Sequence, residues 1–144
     1  MIGDMQSWTP NVAGIIEHAK KVHPKTEIIS RLVSGEIHRS NYEEVCIRSR
    51  KLASVLIKDG YKEGDVLATL ALNTYRHLEM YYGISGMGAI THTLNFRLHP
   101  EQAVYIINHA EDKIIFVETP FIPILEAIQD QIPTVEKFIV LCEE

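Results

Sequence analysis

The sequence predicts an α/β fold: a partly wound, mainly parallel sheet with helices on both faces, preceded by an N-terminal hairpin. Three observations carry the prediction. From Asp65 onward, short continuous apolar runs (Val66 to Leu70, Ala89 to Thr93, Lys113 to Val117, Lys137 to Leu141) alternate with helix-period segments. Strands that read as apolar throughout are buried on both faces, which requires helices above and below a parallel sheet. Crossovers in such units are right-handed, so the sheet winds in a defined direction. Before Asp65 the pattern differs, with two extended stretches joined by a Gly-containing turn. Finally, 144 residues with 46% hydrophobic and 23% charged side chains fit one domain over 1–144 with a single core.

The elements follow in order. Thr9 before Pro10 predicts an N-cap with proline at the first helical position, where its missing N–H costs nothing. Val12, Ile15, Ile16 and Ala19 then form an apolar stripe that ends near Val22, ahead of Pro24. Glu27 to Leu32 and Glu36 to Ser40 read as a hairpin turning at Gly35. Ser40 and Glu43 have the spacing of a capping box for a second helix. Tyr42, Val45, Ser49, Leu52, Ala53 and Leu56 keep helical spacing, Glu44 lies one turn before Arg48, and Gly60 sits where a left-handed C-cap belongs. Between the parallel strands, helices are predicted over Tyr75 to Met87, Pro100 to Ala110 and Phe121 to Ile132.

Composition excludes several functions. The net charge of −5, from 19 acids against 14 bases, contains no basic stripe, so nucleic acid is not an expected partner. Cys46 and Cys142 have no neighbour at metal or redox spacing and read as free thiols of a cytoplasmic protein. No segment approaches the ~18 apolar residues of a membrane span, and the first residues lack a leader pattern.

Motifs that suggest chemistry mostly resolve into structure. Gly83, Gly86 and Gly88 fall at a helix end, whereas a phosphate loop opens a helix, so they predict helix termination and close packing. The seven histidines lie in no metal-binding spacing, and His77 and Glu79 fall on different helix faces, so no metal ligand is predicted. His92 and His99 flank the loop Asn95–Leu98, with solvent-facing or capping roles the plainer reading. Ser85 lies inside a predicted helix without a base. Arg97 stands out. It sits beside Asn95 at the predicted carboxyl end of a strand, where an open sheet exposes its ligand edge, and guanidinium matches phosphate. A structural ion pair remains the competing reading.

Several blocks resemble the N-terminal region of medium- and long-chain fatty-acid CoA ligases of the adenylate-forming, AMP-binding superfamily. They are Ser30 through Arg39 with Tyr42 to Val45; Gly64-Asp65-Val66-Leu67-Ala68; Asn73 with Arg76-His77-Leu78-Glu79; Gly86 through Leu98; and His109-Ala110-Glu111-Asp112-Lys113. The resemblance implies an incomplete N-terminal subdomain of an enzyme that joins a fatty acid to CoA through an acyl-adenylate, using ATP and magnesium. It implies that Arg97 contacts a phosphate of the CoA nucleotide, with Asn95 and Phe96 shaping the loop. It also implies the remainder of the ligase as a partner and a homodimer contact near Trp8. The family's phosphate loop, adenylate motifs and catalytic lysine have no counterpart up to Glu144. This chain is therefore expected to hold no catalytic residue, to be inactive alone and to expose an apolar face. The alternative reading is a self-contained, non-catalytic α/β binding module derived from the ligase scaffold.

Overall fold

The computed structural model describes residues 11–142. The Thr9–Pro10 helix start and the dimer contact near Trp8 lie outside them. Helix α1 (Val12–Val22) is capped by Asn11, whose side-chain oxygen accepts from Gly14 N–H at 2.8 Å. Strands β1 (Glu27–Arg31) and β2 (Ile37–Asn41) pair antiparallel around a turn in which Gly35 adopts φ +90°.

Helix α2 (Tyr42–Lys58) starts one residue later than the capping-box spacing suggests. Asn41 is the cap: its side chain accepts from Glu44 N–H at 3.0 Å and donates to the Glu44 carboxylate at 2.8 Å. Strand alternation decides between the two. Ser40, opposite Ile28, faces the interior and its buried hydroxyl finds no partner, whereas Asn41 faces out over the helix start. Glu44 is thereby engaged at the cap, and Arg48 pairs instead with Glu79 at 2.6 Å. Glu79 is only 7% exposed, and burial pushes its carboxyl up against the opposing pull of Arg48, so it has more to gain from a cation than an exposed Glu44. Gly60 follows the helix at φ +98°.

Next come β3 (Val66–Leu70), α3 (Tyr75–Gly86), β4 (Ile90–Thr93), α4 (Pro100–Ala110), β5 (Ile114–Glu118), α5 (Ile122–Glu126) and β6 (Lys137–Leu141). The long helix expected over Phe121 to Ile132 is instead a short α5 between two single 3₁₀ turns, Thr119–Phe121 and Gln129–Gln131. Pro120 and Pro123 restrict its start and Pro133 forces Ile132 out of helical conformation, leaving too little chain for regular winding. Leu125, Ile128 and Ile132 still reach one core, so the periodicity was informative where the winding was not.

The four later strands form a parallel sheet in the order β4-β3-β5-β6. Alternation along the strands splits the core. Ala68, Leu70, Ile115 and Val117 pack on α4 and α5, while Leu67, Ile114 and Phe116 pack on α2 and α3. A third cluster of Ile16, Val45 and Cys46 attaches α1 to α2. On β6, Phe138 and Val140 remain 40% and 43% exposed. Among the described residues no helix is long and apolar enough to cross a membrane.

Two motif blocks that lie far apart in sequence meet at the amino ends of β3 and β5. Lys113 Nζ reaches Asp65 at 2.7 Å, while the other Asp65 oxygen accepts from Lys62 N–H at 2.9 Å. Next to Lys113, the fully buried Asp112 pairs with His92 Nδ1 at 2.8 Å. These residues support the sheet and stand apart from the carboxyl ends of the strands.

Helices α2 and α3 pack closely at Gly83. A methyl group there would lie 2.9 Å from the Ser49 carbonyl and 3.1 Å from Leu52. Gly83→Ala should therefore destabilise the chain by about 1 to 2 kcal/mol in urea unfolding, overpacking outweighing the helix-propensity gain; an unchanged or higher midpoint would show that the helices can part freely. Asp112 yields a pH signature. Burial pushes its carboxyl above the ordinary value of 3.8, with His92 opposing. From about pH 3.8 upward the folded chain then holds a proton that the unfolded chain has released, so this group's contribution to stability declines as pH rises through that window. The stability of the native chain relative to Asp112→Asn should fall across the same window in unfolding titrations, and a rise would mean that His92 dominates.

Candidate functional site

A cleft of about 660 Å³ opens at the carboxyl ends of β3 and β4. The hairpin supplies one wall through Ile28 and Ser30, and the turn after β3 supplies Asn73 and Thr74. Helix α3 adds His77 and Tyr81, and the loop after β4 adds Asn95 and Phe96. Ligands of open α/β sheets bind at such strand ends, because the connecting loops there are free to vary while the strands hold them in place.

The loop is shaped by its own residues. Asn95 accepts from Arg97 N–H through its side-chain oxygen at 3.0 Å, an Asx turn that sets the direction of the chain. Phe96 stacks on Phe121 with ring centres 4.8 Å apart and planes 16° from parallel, tying the loop to the segment after β5. The Arg97 guanidinium lies over the Phe96 ring at 5.4 Å. Arg97 is exposed and does not line the cleft itself; its position over Phe96, which does, puts the charge at the border. Among the described residues no carboxylate lies within ion-pairing distance of it.

His92 and His99 have other roles. His92 turns away to Asp112, and His99 opens α4 with its backbone N–H donating to the Gln102 side chain at 3.2 Å. The Ser85 hydroxyl is 2.9 Å from that of Thr91, in the packing of α3 on β4, with no base beside it.

One group behind the cleft wall, joined to it through Thr74, escapes sequence reasoning. Glu118 ends β5, is 2% exposed, and accepts from Leu72 N–H at 2.8 Å and from the Thr74 hydroxyl at 3.2 Å. Its signal was an acid closing an otherwise wholly apolar strand, a pattern that passes for the first residue of a solvent loop. Near it, His77 Nε2 lies 3.0 Å from the Thr69 hydroxyl. Burial holds the His77 imidazole below its ordinary value, while the Glu118 charge and a hydrogen bond to the Leu72 carbonyl pull the other way. A neutral ring that donates to Leu72 and accepts from Thr69 satisfies both nitrogens.

The site thus offers a cation at its rim, an aromatic platform under it, and amide and hydroxyl groups along a partly apolar wall. This suits binding of an anionic, extended molecule; the Thr69 hydroxyl that meets the His77 imidazole is only 1% exposed and does not line the cleft. Among the described residues no group of three His, Cys, Asp or Glu side chains could hold a metal ion. No carboxylate among the described residues lines the cleft, so its residues supply no magnesium ligand and no step through magnesium follows from them.

Residues 16–143 match the family described as AMP-binding enzyme. The chain is 43% identical over 141 residues to the medium-chain-fatty-acid–CoA ligase of Ectopseudomonas oleovorans, a match covering 98% of this chain and 26% of the relative. It is 42% identical, with the same coverage, to the 3-methylmercaptopropionyl-CoA ligase of Ruegeria lacuscaerulensis. The long-chain-fatty-acid–CoA ligase of Thermus thermophilus is 42% identical over 134 residues, covering 93% of this chain and 25% of the relative. The chain spans about a quarter of the length of the curated relatives it matches. Among solved structures, the anthranilate CoA ligase AuaEII superposes with a TM-score of 0.84 at 21% identity, over 96% of this chain and 26% of that one. The N-terminal domain of FACL13 from Mycobacterium tuberculosis gives 0.83 at 23%, over 92% and 34%. At such identities the superpositions speak for the fold alone. Matched by the family model along nearly all of its length, and more than 40% identical across it to a stretch of curated CoA ligases, the chain belongs to the AMP-binding enzyme family and resembles the N-terminal part of acyl-CoA ligases.

Proposed function

We propose that the chain is the first α/β subdomain, residues 1–144, of a cytoplasmic, ATP-dependent fatty-acid CoA ligase, and that it supplies scaffold and part of the CoA approach. The observation that carries the reading is identity above 40% over nearly the whole chain to ligases that act on medium- and long-chain fatty acids. In the complete reaction the fatty-acid carboxylate attacks the α-phosphorus of ATP and releases pyrophosphate. The CoA thiol then attacks the acyl carbonyl and releases AMP.

The contribution of this chain is binding. Among the described residues Arg97 has no carboxylate within ion-pairing distance, so its fork of donors is available to a phosphate of the CoA nucleotide. Phe96 supports the guanidinium from below and Asn95 sets the turn that presents it. A pocket that binds one phosphate lowers the cost of bringing CoA to the adenylate without taking part in either bond change.

Because the family's phosphate loop has no counterpart in this sequence and the hydroxyl of the Thr69–His77 pair is buried, the isolated chain should form no acyl-CoA from fatty acid, ATP and CoA in a thioester assay. Turnover by the chain alone would end the reading. In the complete ligase Arg97→Ala should weaken use of CoA about tenfold, as expected for loss of one charge-assisted contact at an exposed site. Pyrophosphate exchange, which reports adenylate formation, should survive. Equal losses in both half-reactions would make Arg97 a structural residue instead.

A further inference from the structure

In a doubly wound sheet the crevice for ligands lies where neighbouring strands lead to helices on opposite faces, because the chains diverge beyond their carboxyl ends. Here that point lies between β3 and β5. Strand β3 leads through α3 to β4 on one side, and β4 returns through α4 past β3 to β5 on the other. The protein fills the crevice with its own side chain. Glu118, at the end of β5, reaches across to the turn that follows β3.

The details set this carboxylate apart from ordinary packing. Thr74 precedes α3 with extended backbone, the position of an N-cap, yet its hydroxyl makes no cap bond and donates to Glu118. Leu72 is held from both sides, its N–H by Glu118 and its carbonyl by Thr74 N–H at 2.8 Å and the imidazole of His77. Asn73, between these two held residues, is exposed and lines the cleft. A buried carboxylate with two donors, facing the start of a helix, has the partners that a ligand's phosphate or carboxylate would otherwise require.

We propose that Glu118 is a positioning residue of the cleft: its carboxylate stands in for a ligand anion at the switch point, excludes phosphate from the crevice, and holds Leu72–Thr74 so that Asn73 faces the cleft. Phosphate-bearing ligands are thereby confined to the outer rim, where Arg97 stands. The relevance of the cleft to CoA rests on the function proposed above, but the role of Glu118 is tested on the chain alone, so either idea can fail without the other.

The experiment is residue-resolved amide hydrogen exchange on the 144-residue chain. In Glu118→Ala, exchange at Leu72 and Thr74 should accelerate by about tenfold or more, while Ala68 and Ile115 in the middle of the sheet keep their protection. Sodium formate, a carboxylate small enough to enter the space left, should slow exchange at Leu72 and Thr74 again, and sodium chloride at equal ionic strength should not. A residue that merely filled space would give no difference between the two salts. Should the alanine variant not fold, Glu118→Gln decides the matter: it keeps the shape and gives up the charge, and should accelerate the same two amides by about fivefold. Unchanged exchange at Leu72 and Thr74 in either variant, or equal effects of formate and chloride, would overturn the proposal.

Discussion

The pairing of β3 with β5, buried on both faces and closed at both ends by ionised side chains, is the constraint on which the remaining structure depends. Leu67, Ala68, Ile114 and Ile115 are fully buried, so the register of these strands has no freedom to slip: a shift of one residue would exchange the faces packed on α2 and α3 with those packed on α4 and α5. At the amino ends Asp65 and Lys113 join the strands across 2.7 Å, and at the carboxyl ends Glu118 reaches from β5 to the turn after β3. Hydrophobic burial sets the pairing and is insensitive to small rotations; the two polar links at its ends add direction. Apart from the hairpin wall of Ile28 and Ser30, what borders the cleft follows one of these strands or β4 beside them.

Legibility from sequence followed the same division. Val66–Leu70, Pro100–Ala110 and Lys137–Leu141 end where their apolar patterns end, because burial on a regular element leaves a periodic trace in the chain. Choices between near-equivalent polar neighbours left no such trace. Ser40 and Asn41 are both good caps, and only the inward face of β2 removes Ser40 from contention. Arg48 has acceptable partners in Glu44 and Glu79, and the deciding fact, that Glu79 is buried, belongs to the packing of α3 on α2. Between Phe121 and Ile132 the apolar spacing is legible, but Pro120, Pro123 and Pro133 rather than that spacing set the winding. Arg97, Asn95 and Phe96 could be named in advance because the loop is local and its turn chemistry is written in consecutive residues. Glu118 could not, since its partners lie 44 to 46 residues away.

The family blocks divide by role once they are placed in space. Gly64-Asp65 and Asp112-Lys113 meet at the amino ends and carry no cleft residue. Asn73 with His77 and the stretch through Asn95 and Phe96 meet at the carboxyl ends and line the cleft. Blocks that look alike as strings of residues therefore serve opposite ends of one sheet. The division is what parallel topology imposes, because in such a sheet all the strand ends of one kind lie on the same side.

Placing a cation at that side raises a problem that the loop itself solves. A lone exposed arginine has many rotamers, and binding a phosphate means fixing one of them, which costs entropy. The Asx turn of Asn95 fixes the backbone at Arg97, and Phe96, itself held against Phe121, offers the guanidinium a flat face to rest on. The platform limits the side chain without consuming its hydrogen-bond donors, whereas a carboxylate partner would have consumed them. Phe121 in turn stands three residues after Glu118, so the support under the arginine and the carboxylate at the switch point come from the end of one strand and the turn that follows it. One short segment following β5 thus repels an anion from the crevice and supports the cation that faces it at the rim, and the two effects cannot be moved apart without breaking the strand that joins them.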